Sequence, residues 1–404
     1  MNCLPNLDMK NTNLVGNEHY RGNMPQLELN LYKNEQMQFT AQKNELMSAL
    51  NIVGRCIGRS VMPILENYRF EISKNSLKIT GSSIQVFICQ EINIESEISI
   101  LDVCVPAKKL LDFIKTLPNQ SLVFTFKEKE VGSYLMEMKH STGKFDVSTE
   151  NGADFPKLPI VESESISVDN QTLINGFFKT TFAVDDSTMK ITSNLLLQFG
   201  NGIQITGANS FYLSIKKVFE NTINLKTILL PVTAPDILIS LSNSGETKIS
   251  YSDNNILFEL NDGTKVFSQL IDGNFPEIKG LTQATFDKSV SVNVGEFSSA
   301  LKRVIMFTHL MNKQVKISLS EAGITLEAKN ESGEFAVENI SCVYSGEPFS
   351  IGVISDHFNA VMSKIKHDTV EMKFSDEKKP IKITEVENDN DEDFFIVMPS
   401  VIIN

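Results

Sequence analysis

The chain has no tryptophan, and only five cysteines and five histidines in 404 residues. Cys3, Cys56, Cys89, Cys104 and Cys342 form no C-x-x-C pair, so reduced, mostly buried thiols are expected rather than a disulfide frame. His19, His140, His309, His357 and His367 form no H-x-x-x-H or H-E-x-x-H pattern, which argues against a zinc centre. Phosphate-loop, dinucleotide and nucleophile-elbow glycine motifs are absent. A glycosidase needs two carboxylates across a cleft; no pair stands out, and the tryptophan common in sugar sites is missing. The run Asp389 to Asp393 mimics the start of a calcium loop but lacks its glycine and closing Glu, so it reads as a solvated hairpin tip. Neither a metal nor a cofactor is expected, and no enzyme activity.

Long apolar runs are also missing. No stretch approaches membrane-spanning length. Met1 to Asn23 is polar and lacks the apolar core of a signal peptide, which predicts a cytoplasmic protein. An adhesion or shell protein would want secretion signals or disulfides. Positive charge is scarce: 37 Lys and Arg against 50 Asp and Glu give a net charge of −13. That excludes a binder of nucleic acid over its whole surface, but not one whose positive face is segregated from an acidic exterior.

What is present is mostly short strands. Tyr68–Ile72, Ser76–Thr80, Val123–Lys127, Leu135–Lys139, Leu195–Phe199, Ile203–Thr206, Lys248–Tyr251, Ile256–Leu260, Val315–Leu319, Ile324–Ala328 and Thr369–Phe374 alternate apolar with polar residues and are separated by turn residues. They predict half-buried antiparallel hairpins. Helical spacing appears at Asn44–Ile57, Gln171–Phe182 and Glu296–Leu310, and again at Ala107–Leu117, Ala234–Leu241 and Ser355–Ile365. Ser355 and Asp356 are expected to cap the last of these.

The landmarks repeat. Leu46, Leu173 and Phe297 open the first helices; Leu77, Ile203 and Ile324 open the following hairpin strands; Pro106, Pro231 and Val353 precede the second helices. Phe155-Pro156, Phe275-Pro276 and Met398-Pro399 close each unit, all at intervals of roughly 120–127 residues. Three copies of one domain follow, each made of two halves with one helix and two or three strands. Six helices then share one side of a curved sheet. The free edges at the two ends invite pairing with another copy, which closes a ring.

Val105-Pro106-Ala107-Lys108-Lys109-Leu110-Leu111-Asp112, Met62-Pro63-Ile64-Leu65-Glu66-Asn67, Ala153-Asp154-Phe155-Pro156, Asp272-Gly273-Asn274-Phe275-Pro276 and Val397-Met398-Pro399 resemble the bacterial sliding clamp, the beta subunit of DNA polymerase III. The resemblance runs from about Met37 to Ile402. It implies an α+β fold of three repeated clamp domains, with antiparallel sheets outside and two helices each lining a central hole, in a ring-shaped head-to-tail homodimer. The expected divisions are residues 1–36, an extra segment predicted to be disordered, then clamp domains at 37–158, 159–284 and 285–404. The implied role is a processivity factor that encircles duplex DNA without reading its sequence. It would tether the polymerase III catalytic subunit, the clamp loader and other clients carrying short pocket-binding peptides, in the cytoplasm with the nucleoid.

Charge is consistent with that implication in part. Residues 42–60, 106–117 and 295–313 each carry +2, whereas 169–188 carry −2, 231–244 carry −1 and 355–368 are neutral. The six helical segments therefore hold a small positive excess inside an acidic chain. The resemblance puts DNA contact at Arg55, Arg59, Lys108, Lys109, Lys190, Lys302 and Arg303. Val232, Thr233 and Gly280 stand where relatives often carry basic residues. The client pocket maps to Ala208, Asn209, Phe211, Tyr212, Leu213, Pro276, Leu281, Ile396, Met398, Pro399 and Ser400, a groove in which Met and Pro suit varied apolar peptides. Relatives commonly carry Thr-Asp-Gly-His-Arg-Leu where this chain has Ala208-Asn209-Ser210-Phe211-Tyr212-Leu213, so two polar side chains have become aromatic. The dimer interface maps to Ile305, Met306, Phe307 and Leu310. In the extra segment, Gln26-Leu27-Glu28-Leu29-Asn30-Leu31-Tyr32 reads either as an added edge strand or as a peptide like those of clients, competing for the pocket. The second choice belongs to an alternative reading as a specialised second clamp for repair or mobile-element replication.

Overall fold

Leu77 and Ile79 are fully buried while Lys78 between them is half-buried, and the same alternation runs through Gln314–Ser320 and Thr369–Phe374. A computed structural model describes residues 37–161, 165–186, 190–218, 225–241, 244–311, 313–344, 346–386 and 393–402. Cys3 and the Gln26 to Tyr32 segment lie outside the described residues.

One unit, strand–helix–three strands, recurs six times. The first is β1 (Met37–Gln42), α1 (Lys43–Val53), β2 (Asn67–Ser73), β3 (Ser76–Ser82) and β4 (Val86–Asn93). The second is β5 (Ile100–Pro106), α2 (Ala107–Thr116), β6 (Ser121–Glu130), β7 (Ser133–His140) and β8 (Gly143–Ser148). The third is β9 (Ile166–Asp169), α3 (Asn170–Thr180), β10 (Asn194–Gly200), β11 (Gly202–Ala208) and β12 (Tyr212–Val218). The fourth is β13 (Lys226–Pro231), α4 (Thr233–Leu241), β14 (Glu246–Tyr251), β15 (Asn255–Glu259) and β16 (Lys265–Gln269). The fifth is β17 (Lys288–Asn293), α5 (Val294–Ile305), β18 (Gln314–Ser320), β19 (Gly323–Lys329) and β20 (Phe335–Ile340). The sixth is β21 (Phe349–Ile354), α6 (Ser355–Met362), β22 (Thr369–Phe374), β23 (Ile381–Glu385) and β24 (Phe394–Val397).

Units interlock in pairs. The leading strand of each pairs with the second strand of its companion: β1 with β6 and β5 with β2, β9 with β14 and β13 with β10, β17 with β22 and β21 with β18. Two eight-strand rows result, β5-β2-β3-β4-β16-β15-β14-β9 and β13-β10-β11-β12-β24-β23-β22-β17, the first extended by Glu150–Asn151. The remaining strands form two half rows, β1-β6-β7-β8, extended by Glu95–Ser96 at its β1 side, and β20-β19-β18-β21. Each helix buries one stripe on the sheets, as Leu46, Ala49, Leu50 and Val53 do in α1 and Phe297, Ala300, Leu301 and Val304 in α5. Helices pack pairwise, α1 on α2, α3 on α4 and α5 on α6. On β11, Gly207 lets the end of α3 lie against the sheet: a β-carbon there would stand 2.2 Å from the carbonyl oxygen of Thr180.

Three local expectations are corrected. α5 stops at Ile305 rather than Leu310, since the amides of Phe307 and Thr308 turn back to Val304 and Ile305 in tighter bonds. Ser355 and Asp356 do not cap α6. β21 runs straight into the helix, so Ser355 is already helical, with its hydroxyl buried and unpartnered among the described residues, and Asp356 takes the Lys313 ammonium at 2.7 Å. Asp393 is no solvated tip: it is buried, bonded to Lys216, and accepts the Lys217 amide at 2.6 Å.

That last contact belongs to a buried charge cluster where β12 meets β24. Lys179 of α3 bonds Glu385 of β23, and each side chain is only 4% exposed. Burial lowers the Lys179 pKa and Glu385 opposes the shift. Glu385→Ala leaves a buried cation unpaired and is expected to cost about 3–5 kcal/mol. A urea titration should show that loss, and a Lys179→Met/Glu385→Leu double variant should recover most of it.

Candidate nucleic-acid interface and partner groove

The predicted basic residues divide into two groups. Lys108 and Lys109 are exposed on α2, and Arg55 and Arg59 are exposed in the turn and loop that follow α1. Lys302 is exposed on α5. Arg303 and Lys190 are otherwise engaged. Arg303 makes a bidentate pair with Glu338 of β20, with both bonds 2.7 Å. Lys190 pairs with Asp185 at 3.0 Å.

Lys190 also lines a cleft of about 360 Å³ that includes Asp185, Asp186 and Asp236. The Thr192 hydroxyl, aided by Lys190, holds the Asp185 carboxyl below its ordinary pKa, whereas burial raises that of Asp236. This middle stretch therefore presents carboxylates where the family resemblance implied phosphate contact. A basic patch missed in the sequence lies nearby: Lys364 stands 4.1 Å and Lys366 5.5 Å from the ring centre of Phe178. Its only sequence signal is the Lys-x-Lys spacing after α6.

The predicted groove residues are also divided, by strand alternation. Ala208, Leu213 and Ile396 join Ile215 and Phe394 in one apolar cluster, against which Leu281, Met398, Phe275 and Ile278 pack. Pro276 lines an adjoining cleft of about 1000 Å³ with Leu196, Ile215, Thr227, Ile278 and Phe394. Tyr212 is not in this cluster. It precedes Leu213 on the strand and so points to the opposite face, edge-on to Phe182 at 5.4 Å. Burial raises its pKa to about 12. Asn209 shapes the turn: its side-chain Oδ1 accepts the amides of Phe211 at 2.8 Å and Tyr212 at 2.9 Å. Phe211 stays 49% exposed and stacks on His357 with ring centres 4.4 Å apart. Pro399 is half-buried, and Ser400 is tied to the third-copy sheet through Gly352 and Gln314 rather than to the apolar cluster.

Of the expected interface residues, Met306 is 73% and Leu310 81% exposed, while Ile305 and Phe307 are half-buried. Among the described residues no group of three or more His, Cys, Asp or Glu side chains is arranged to hold a metal ion, and no helix is long and apolar enough to cross a membrane.

Comparison with known proteins agrees with this architecture. Residues 37–159 match the family model of the DNA polymerase III beta subunit, N-terminal domain, and 283–399 that of its C-terminal domain, together more than half of the chain. The beta sliding clamp of Vibrio cholerae is 23% identical over 370 residues, covering 90% of this chain and 99% of that protein. The Escherichia coli clamp is 22% identical over 371 residues with the same coverage. Crystal structures of the Pseudomonas aeruginosa clamp bound to griselimycin and of the Bacillus subtilis clamp superpose with a TM-score of 0.84 each. They are 22% and 21% identical and cover 91% of this chain and all of theirs.

The Phe211–His357 stack carries a pH signature. Burial lowers the His357 pKa from its ordinary 6.5, with Asp356 opposing. The unfolded chain therefore takes up this proton first, and the contribution to stability, complete above pH 6.5, is lost as pH falls towards the lowered folded value. The melting-temperature advantage over His357→Gln should hold steady above about pH 7 and shrink below it.

Proposed function

The chain belongs to the bacterial DNA polymerase III beta subunit (sliding clamp) family, and we propose that it is a non-catalytic ring that encircles duplex DNA and tethers the replicative polymerase to its template. The observation that carries the reading is the pair of half rows. Every complete row has eight principal strands, whereas the half rows end on β8 and β20. Joining β8 of one copy to β20 of a second makes another eight-strand row, and doing so twice leaves neither strand edge free. The domains of this ring are 37–158, 159–284 and 285–404, preceded by the segment 1–36.

A closed ring stays on DNA by topology, so its inner face needs only weak, sequence-blind attraction. Arg55, Arg59, Lys108, Lys109 and Lys302 supply it, with Lys364 and Lys366 adding to them. Lys190 and Arg303 contribute less because carboxylates already hold them. The cluster around Leu213, Ile396 and Met398 takes short apolar peptides from the polymerase catalytic subunit, the clamp loader and other clients, while Phe211 forms a rim. The protein works in the cytoplasm with the nucleoid.

Loaded by its clamp loader, the protein should remain on a nicked circle through gel filtration and leave once the circle is cut. Equal retention on circular and linear DNA would count against a ring. Replacing Arg55, Arg59, Lys108 and Lys109 with Ala should flatten the salt dependence of DNA affinity by about 0.9 in log–log slope for each phosphate no longer neutralised, while Lys190→Ala changes it little. Met398→Asp, at a half-buried position on the same cluster, should weaken client-peptide binding at least tenfold in fluorescence anisotropy without altering the sedimentation of the free protein.

A further inference from the structure

The internal repeat places equivalent residues on the sheet faces turned away from the helices, and the first two repeats differ there in chemistry. In hairpin register, Arg69, Glu71, Lys78 and Asp102 of the first correspond to Leu196, Gln198, Gln204 and Thr227 of the second. The charges of the first repeat neutralise one another. Arg69 makes a bidentate pair with Asp102 at 2.9 and 2.7 Å, and Lys78 holds Glu71 at 2.9 Å. The second repeat carries no charge at any of these positions. The exchange continues across each junction: Cys89 opposite Lys265 in the first becomes Ile215 opposite Phe394 in the second.

The segment that closes each repeat also sits differently. In the first, Glu150–Asn151 pairs with β5, and Phe155 is buried. Gly152 there lies so close that a β-carbon would stand 1.8 Å from Oδ1 of Asp102. In the second, the corresponding segment makes the single bridge Leu229–Ile271, and Phe275 is only half-buried. The space left beneath it is the cleft of about 1000 Å³. Leu196, Ile215, Leu229 and Phe394 give it an apolar floor, with Gln198 and Gln204 beside them. Gln204 Nε2 donates to Gln198 Oε1 at 3.0 Å, while Gln198 Nε2 and Gln204 Oε1 have no partner among the described residues. At the mouth, Lys226 pairs with Asp253 and Lys279 with Glu277. Asp272 there has no ion partner among the described residues, which disfavours an acidic occupant.

We infer that this cleft is a second compartment of the partner groove, and that it takes an uncharged, extended stretch of a client chain carrying one apolar side chain beside its groove-binding peptide. This deepens the groove reading and rests on it. Continuity argues for one occupant: Ile215, Phe394, Phe275 and Ile278 belong both to the apolar cluster of the groove and to the cleft lining. Leu196 on β10 lies two strands across from Ile215 on β12, roughly 10 Å, so three or four extended residues carry a client from one to the other. The apolar side chain seats on Leu196 and Leu229. The two glutamines pair with the client's main chain, since an uncharged amide both donates and accepts. The first repeat cannot serve in this way, because its ion pairs occupy the same face.

Synthetic peptides test the compartment. The probe is the sequence Gln26–Tyr32, whose alternating leucines suit the groove, alone and lengthened at either end by Ser-Gly-Ser-Leu. In fluorescence anisotropy at least one lengthened form should bind at least tenfold more tightly than the short one. Lengthening by Ser-Gly-Ser-Asp should gain nothing, and an equal gain would refute the apolar class. Leu196→Arg/Thr227→Asp transplants the ion pair of the first repeat into the cleft. Gln198→Glu/Gln204→Lys does so at less buried positions, should the first variant fail to fold. Either should cut the gain below threefold and leave affinity for the short peptide within twofold. No gain from lengthening at either end, or a gain that survives in either folded variant, would overturn the compartment and leave the groove reading standing. Failure of every peptide to bind would remove the groove reading itself.

Discussion

An antiparallel sheet is stable only when its edge strands find partners or cover, and that constraint organises the whole chain. A single strand–helix–three-strand unit has one apolar stripe on its helix and two open strand edges. Exchange of leading strands between paired units closes one side of the problem. The outermost strand of each unit is still exposed, and β4–β16 and β12–β24 satisfy four of the six. Of these outermost strands, β8 and β20 are left over. Function in this reading follows from unfinished hydrogen bonding: a chain that can complete its sheets only with a second copy is a chain that makes a hoop.

The junctions share a backbone pattern but not a side-chain chemistry. Where β4 meets β16, Gln90 bonds Thr264, while Ile52 and Leu260 both sit at the apolar core. At the corresponding positions of the β12–β24 junction stand Lys216 with Asp393 and Lys179 with Glu385. Buried ions add less net stability than well-packed apolar groups, but they punish mispairing severely because an unmatched partner is stranded without water. At the seam the counterparts of Lys179 and Lys216 are Arg303 and Glu338, which satisfy each other within one chain.

Much of this was legible in the sequence because strand alternation and helix spacing are local signals. The hairpins from Tyr68 to Thr80 and from Leu195 to Thr206 appear where the pattern put them, and the repeat of landmarks foreshadowed the paired units. What failed depended on partners far away in the chain. Asp393 looked solvated because its acidic neighbours dominate the local sequence, yet a lysine from β12 draws it inward. Tyr212 looked like a groove residue by its place in a motif, but alternation within β12 turns it away from Leu213. Lys190 and Arg303 were assigned through the family resemblance, which cannot reveal a carboxylate that this fold brings alongside. The end of α5 was misjudged because Met306, Phe307 and Leu310 continue the apolar spacing after the helix has stopped, and two of those three side chains remain exposed for a neighbour.

An acidic chain around an acidic polymer poses a problem that segregation resolves. At physiological ionic strength exposed charges farther apart than about 8 Å are largely screened, so the outer carboxylates hardly oppose a duplex inside the ring. What matters is the sign of the nearest face, and that face is uneven. α1 and α2 present free cations, whereas the middle stretch presents Asp185, Asp186 and Asp236 around a lysine that is already paired. In the ring proposed above, a duplex is drawn towards α1 and α2 and away from the middle helices, which gives it two shallow wells, one for each subunit, rather than a uniform coating. Shallow wells are what sliding requires, because a ring that cannot fall off gains nothing from gripping harder.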